Sequence, residues 1–103
     1  MRIRGITALT VAVALLVSAT VANAAPVSWR QAIQLTKHTA SKRVARGGIT
    51  LPPSWWTVAC YEGRIGHWRC EAGAMRGYCN AGVWIAGTRA QPVVTKVRVY
   101  CFD

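Results

Sequence analysis

The sequence predicts an α+β fold: one N-terminal helix packed on a four-stranded antiparallel meander sheet, held by two disulfides. Three observations predict it. Apolar residues recur at helical spacing between positions 28 and 46. After Pro52-Pro53 the pattern changes to aromatic and β-branched runs separated by glycine-bearing joints. All four cysteines, Cys60, Cys70, Cys79 and Cys101, fall in that second half.

Taken in chain order, the first segment is not part of the expected fold. Met1-Arg2-Ile3-Arg4 is a short basic start, Ile6–Val21 is uncharged and rich in Ala, Val and Leu, and Ala22-Asn23-Ala24 has the small-x-small form of a signal-peptidase site. This is the layout of a secretory signal, with residues 1–24 removed and 25–103 left as a single disulfide-bonded domain. The apolar run is too short, and too close to a cleavage pattern, for a stable membrane span after processing. No cysteine lies near the site, which argues against a lipoprotein. Secretion or a periplasmic location is the expectation.

Removing 24 of the 103 residues leaves 79, enough for one domain and few enough that burial alone barely offsets chain entropy. Arg2 and Arg4 leave with the signal, so 11 of the 13 basic residues face the 3 acids Glu62, Glu71 and Asp103, a charge of about +8. An even cysteine count in a small basic chain bound for an oxidising compartment reads as two disulfides, each contributing roughly 2–4 kcal/mol.

The helix is expected over 28–46. Ser28-Trp29-Arg30-Gln31 has capping-box form. Trp29, Ala32, Ile33, Thr36, Ala40 and Val44 share one stripe, with Leu35 and Arg43 as misfits, and Gly47-Gly48 stops the helix. Four strands follow at 54–61, 66–72, 76–86 and 93–102, with turns at 62–65, 73–75 and 87–92.

In an antiparallel hairpin, facing residues have a constant sum of their numbers. The midpoints of Cys60 with Cys70, Cys70 with Cys79, and Cys79 with Cys101 fall at 65, 74.5 and 90, each inside an expected turn. That puts all four cysteines in one row across the meander, with neighbours about 5 Å apart and within disulfide reach. Cys60–Cys70 with Cys79–Cys101 is the preferred pairing; Cys70–Cys79 with Cys60–Cys101 is the rival. A zinc site is the sharper alternative, weakened by the lack of a C-x-x-C pair and by the oxidising compartment. Nothing in the sequence asks for a metal or another cofactor.

Side chains alternate across a sheet, so the cysteine row also sorts the faces. Trp56, Val58, Trp68, Ala81, Val83, Ile85, Val97 and Val99 share the cysteine face, which should receive the helix. The other face carries Trp55, Tyr61, His67, Arg69, Glu71, Tyr78, Asn80, Trp84, Lys96, Arg98, Tyr100 and Phe102. Tyr61, Arg69, Asn80 and Tyr100 are expected in one row, and His67, Gly82 and Arg98 in the next. Of that face, Tyr61, His67, Arg69, Tyr78, Asn80, Trp84, Lys96, Arg98 and Tyr100 are the candidate binding residues. Cations among aromatic rings suit an anionic polymer or surface, where the charges meet phosphate, sulfate or carboxylate and the rings stack. The plainer alternative is a solvated face whose rings merely cover backbone.

Three classes of function follow. The first is a secreted binding protein for nucleic acid, an acidic glycan or an anionic cell surface, with net charge speeding the encounter. The second is a module that binds an envelope or extracellular protein. The third is a small ribonuclease using His67 with Glu71 for proton transfer and Arg69, Arg98 and Tyr78 around the phosphate. It is disfavoured because His38 lies opposite the helix stripe and cannot join His67, so no catalytic residue is assigned. Trp29 and Trp68 are expected to pack helix against sheet, and Trp55-Trp56 to send one ring to each face.

The elements Ala59-Cys60, His67-Trp68-Arg69-Cys70, Cys79-Asn80-Ala81-Gly82-Val83 and Val97-Arg98-Val99-Tyr100-Cys101 resemble small secreted four-cysteine α+β bacterial proteins, a group without an assigned activity. The order of helix and sheet also resembles the cystatin architecture of protease inhibitors, and that likeness is what implies the inhibitor version of the second class. No inhibitory wedge motif accompanies it.

Overall fold

The helix α1 (Trp29–Arg46) begins where the sequence predicts, in a computed structural model that describes residues 24–75 and 78–102. The expected signal, apart from Ala24, lies outside the described residues, as do Arg76, Gly77 and Asp103. Ser28 caps the helix as a complete box. Its Oγ accepts from the Gln31 N–H at 3.2 Å, and the Gln31 side chain accepts from the Ser28 N–H at 3.1 Å. Two of the free N–H groups of the first turn are thereby satisfied.

Ala32, Thr36, Ala40 and Val44 are the buried residues of α1. Trp29 is not among them: it is 56% exposed, a correction to its expected packing role. Ahead of the helix Val27 is buried, and the Trp68 indole N–H donates to its carbonyl at 2.8 Å. Leu35, a misfit to the stripe, packs half-buried against the same cluster.

Pro53–Trp55 form one 3-10 turn, and β1 starts only at Trp56 (Trp56–Glu62). Proline suits the start of such a turn because its fixed φ is already helical. This corrects the expectation that the first strand runs from residue 54 and that Trp55 and Trp56 point to opposite faces. Trp55 packs half-buried against the core that buries Trp56, because alternation does not apply inside a 3-10 turn. The remaining strands are β2 (Trp68–Ala74), β3 (Cys79–Gly87) and β4 (Pro92–Cys101). They form one antiparallel sheet in the order β1-β2-β3-β4, the expected meander with the helix packed on it.

Both disulfides have the preferred pairing, Cys60–Cys70 and Cys79–Cys101, each with Cα atoms 4.0 Å apart. Such a close approach belongs to the narrow, non-hydrogen-bonded type of antiparallel pair. All four sulfurs are thus committed to covalent bonds, and none is a metal ligand. Disulfides of this kind fit an extracellular or periplasmic protein, and no described helix is long and apolar enough to cross a membrane.

The single cysteine row, however, does not form. Cys70 faces Val83, not Cys79, so the two disulfides lie four residues apart along the sheet, roughly 13 Å at strand rise. The midpoint of β2 and β3 falls at the undescribed pair 76–77 instead of within 73–75. A slip of one residue would have exchanged the faces; a slip of four is even and leaves them intact. Each disulfide consequently joins its own half of the core. Cys79 and Cys101 pack with Ala40, Val44, Leu51, Trp56, Ala72 and Ala81. Cys60 and Cys70 pack with Val27, Ala32, Val83 and Ile85 at the other end of the helix. Alanine lines much of this contact, so the helix lies close to the sheet and little apolar volume is available. The disulfides supplement that thin core.

Candidate functional site

With the helix on one side, the other side of the sheet faces solvent, and the candidate binding residues other than His67 and Tyr78 lie on its strands in rows that differ from the expected ones. Tyr61, Arg69, Trp84 and Lys96 face one another across the four strands. Ala59, Glu71, Gly82 and Arg98 form the next row, and Thr57, Gly73, Asn80 and Tyr100 the one beyond. Two expected rows are therefore corrected. Asn80 and Tyr100 do face each other, but Tyr61 and Arg69 lie two rows away. Gly82 and Arg98 also pair, but their neighbour on β2 is Glu71, not His67.

His67 stands just before β2, in the turn. Its N–H donates to the Arg64 carbonyl at 2.8 Å, and its own carbonyl accepts from Gly63 at 3.1 Å. The turn closes with Gly66 at φ +78°, the left-handed conformation that this position of the turn requires. The Glu62 carboxylate accepts the Gly66 N–H at 2.9 Å. His67 borders a small hollow with Tyr61, Trp68, Trp84 and Thr95. Tyr78 lies just before β3, where its carbonyl accepts the Phe102 N–H at 2.7 Å.

The register gathers charge around one ring. The Arg69 guanidinium carbon lies 5.4 Å from the centroid of the Trp84 ring, and the Lys96 ammonium lies 4.9 Å from it. The two cations come from the strands on either side of β3. A β-bulge assists on one side: the β3–β4 register shifts between Trp84 and Ile85. Thr95 and Lys96 are both exposed, and the Thr95 hydroxyl donates to the Trp84 carbonyl at 3.3 Å. Bulges re-aim side chains in this way. The indole leans along its own strand onto Gly82, where an added Cβ would come within 3.2 and 3.3 Å of its six-membered ring. The space that glycine leaves between Glu71 and Arg98 is thus filled by Trp84.

Glu71 is the one acid among the described residues of this face. Its Oε1 lies 3.6 Å from Arg69 Nη2, with both side chains more than half exposed. A solvent-exposed pair at this distance is worth only a fraction of a kcal/mol. An open trough runs over the face, lined by the small residues Ala59, Gly73 and Gly82 and by the taller Arg69, Arg98 and Tyr100. Tyr100 and Phe102 meet edge to face, with centroids 4.8 Å apart.

The face and the residues that its strands place on it were readable from alternation; the positions of Trp55, in a 3-10 turn, and of His67 and Tyr78, before their strands, were not. Nor was the pairing of Arg69 and Lys96 with Trp84, because it depends on the β2–β3 register and on a bulge that has no sequence signature here. The chain matches no family model, no curated protein and no solved structure.

Proposed function

We propose that this is a small, basic, secreted or periplasmic binding protein whose exposed sheet face contacts an anionic partner such as nucleic acid, an acidic glycan or a cell surface. One observation carries the reading: Arg69 and Lys96 converge on Trp84, and Arg98 stands two residues along β4, against a single facing carboxylate. The ring lowers the entropic cost of ordering the two long side chains before a ligand arrives. The cleavable signal read in residues 1–24 and the expected charge of about +8 agree with such a role.

A heparin column and a DNA column at low salt test this. The mature protein is expected to be retained on at least one and to elute earlier as Arg69→Ala/Lys96→Ala/Arg98→Ala. Three phosphate-like contacts correspond to a salt slope of roughly 2–3. Passage through both columns unretained at low salt would overturn the reading.

The second reading is a protein-binding module. Its support is apolar surface: Ile65 at the β1–β2 tip is 82% exposed, and Met75, Tyr78, Tyr100 and Phe102 are each at least half exposed. A ribonuclease has weaker support. His67 borders the hollow beside Tyr61 and Trp84, whereas Glu71 lines the trough beside Gly82 and Arg98, so the two give little joint support for proton transfer at one phosphorus.

A further inference from the structure

Resting on that reading, we infer that the face accepts an acidic glycan chain, recognised through its sulfate or carboxylate groups, and that Glu71 occupies the place of one of those groups at Arg69 until the chain displaces it. The argument begins with Trp84. An aromatic ring offers two faces, and a protein that binds single-stranded nucleic acid gains about 1–3 kcal/mol for each base stacked on an open one. Here the ring rests against Gly82, and two cations lie over it at 4.9 and 5.4 Å. Tyr100 and Phe102 meet edge to face, so these two rings do not form a pair of parallel platforms. The ring's part is therefore to hold cations. A partner recognised by charge alone gains fully from that arrangement, whereas a nucleic acid loses the stacking term at Trp84, the ring among the cations.

Glu71 then sets a threshold. Its carboxylate is 3.6 Å from the Arg69 guanidinium and one glycine from Arg98 in the same row. A single free carboxylate arriving at Arg69 replaces one like it and gains almost nothing. A chain bearing several anionic groups gains Lys96 and Arg98 as well, and Glu71 swings out into water at small cost because the pair is exposed. The face is thereby selective for multivalent chains over single anions. Acetate at matched ionic strength should not compete with the chain.

Titration of the mature protein with a heparin oligosaccharide, and with single-stranded DNA of equal charge, over a series of salt concentrations tests this. Glu71→Gln is expected to bind heparin about 2–5-fold more tightly, with the salt dependence steeper by about one released ion as Arg69 becomes free. The control is Glu62→Gln. It removes the same charge from the end of β1 while its amide oxygen still accepts the Gly66 N–H, and it should leave the slope unchanged.

Equal or weaker heparin binding by Glu71→Gln overturns the role of Glu71, as does an equal gain in both slope and affinity for Glu62→Gln. DNA bound more tightly than heparin at equal charge overturns the glycan assignment while leaving anion binding in place. Failure of the wild-type protein to bind either polymer removes the proposed function itself.

Discussion

Trp84 shows how much a single residue's role depends on its immediate neighbours. From the sequence it is one more exposed aromatic among basic residues. In the structure its ring lies on Gly82 with Arg69 and Lys96 above it, which makes it a positioning group for charge and not a free stacking surface. Trp84→Ala leaves net charge unchanged and is expected to weaken heparin binding about 2–10-fold, through loss of cation–π contacts worth roughly 0.5–1 kcal/mol each. Titration at fixed salt checks this; unchanged affinity would mean that the ring does not order the cations. Trp29 carries the opposite lesson. Its helical position puts it in the expected stripe, yet it stays exposed while Val27 and Trp68 pack together in the core cluster at that end, and helical spacing carries no information about residues outside the helix.

Among the elements, the helix was the most legible. Its start is written locally in Ser28 and Gln31, whose reciprocal hydrogen bonds need only the first turn to form. Ser28→Ala should cost about 1 kcal/mol and lower the melting temperature by roughly 4–8 °C, measurable by circular dichroism. The start of β1 was less legible, because Pro52-Pro53 marks a break without saying whether a strand or a 3-10 turn follows. The β2–β3 register was less legible still. A turn position was inferred from cysteine midpoints, and the residue that faces Cys70 lies four positions further along β3 than expected. That error moved the rows but not the faces, since an even slip preserves alternation. The bulge at Thr95 had no detectable signal, because a threonine preceding a lysine reads as ordinary strand.

At the scale of the whole molecule, two disulfides and a thin alanine-lined contact replace a large core. Each bridge ties one half of the apolar cluster, so neither is redundant. The Cys79–Cys101 bridge closes 22 residues of sequence separation, for which chain-entropy arguments give about 3 kcal/mol. Cys79→Ala/Cys101→Ala is therefore expected to melt more than 10 °C below the parent chain. A loss of only a few degrees would mean that the apolar contact alone carries the fold. The N-terminal segment also takes part: Ala25 accepts from the Arg89 N–H at 2.7 Å and Pro26 bridges to Thr88. The residues expected to follow signal cleavage thus run across the β3–β4 turn.

What the sequence by itself determined was set by local chemistry or parity: the capped helix, the strand-rich second half, and the division of side chains between a buried and a solvent face; between the two disulfide pairings that it left open, the structure decided. The properties read from sequence depend on neighbours in the chain or on whether a residue number is odd or even, and they survive errors of a few residues. Only the tertiary structure decided which side chains meet across strands, and hence that Arg69 and Lys96 share Trp84 while Glu71 stands between Arg69 and Arg98. Cross-strand contact depends on absolute register, which turn length and one inserted bulge residue set together, and neither is encoded in the strands that they align.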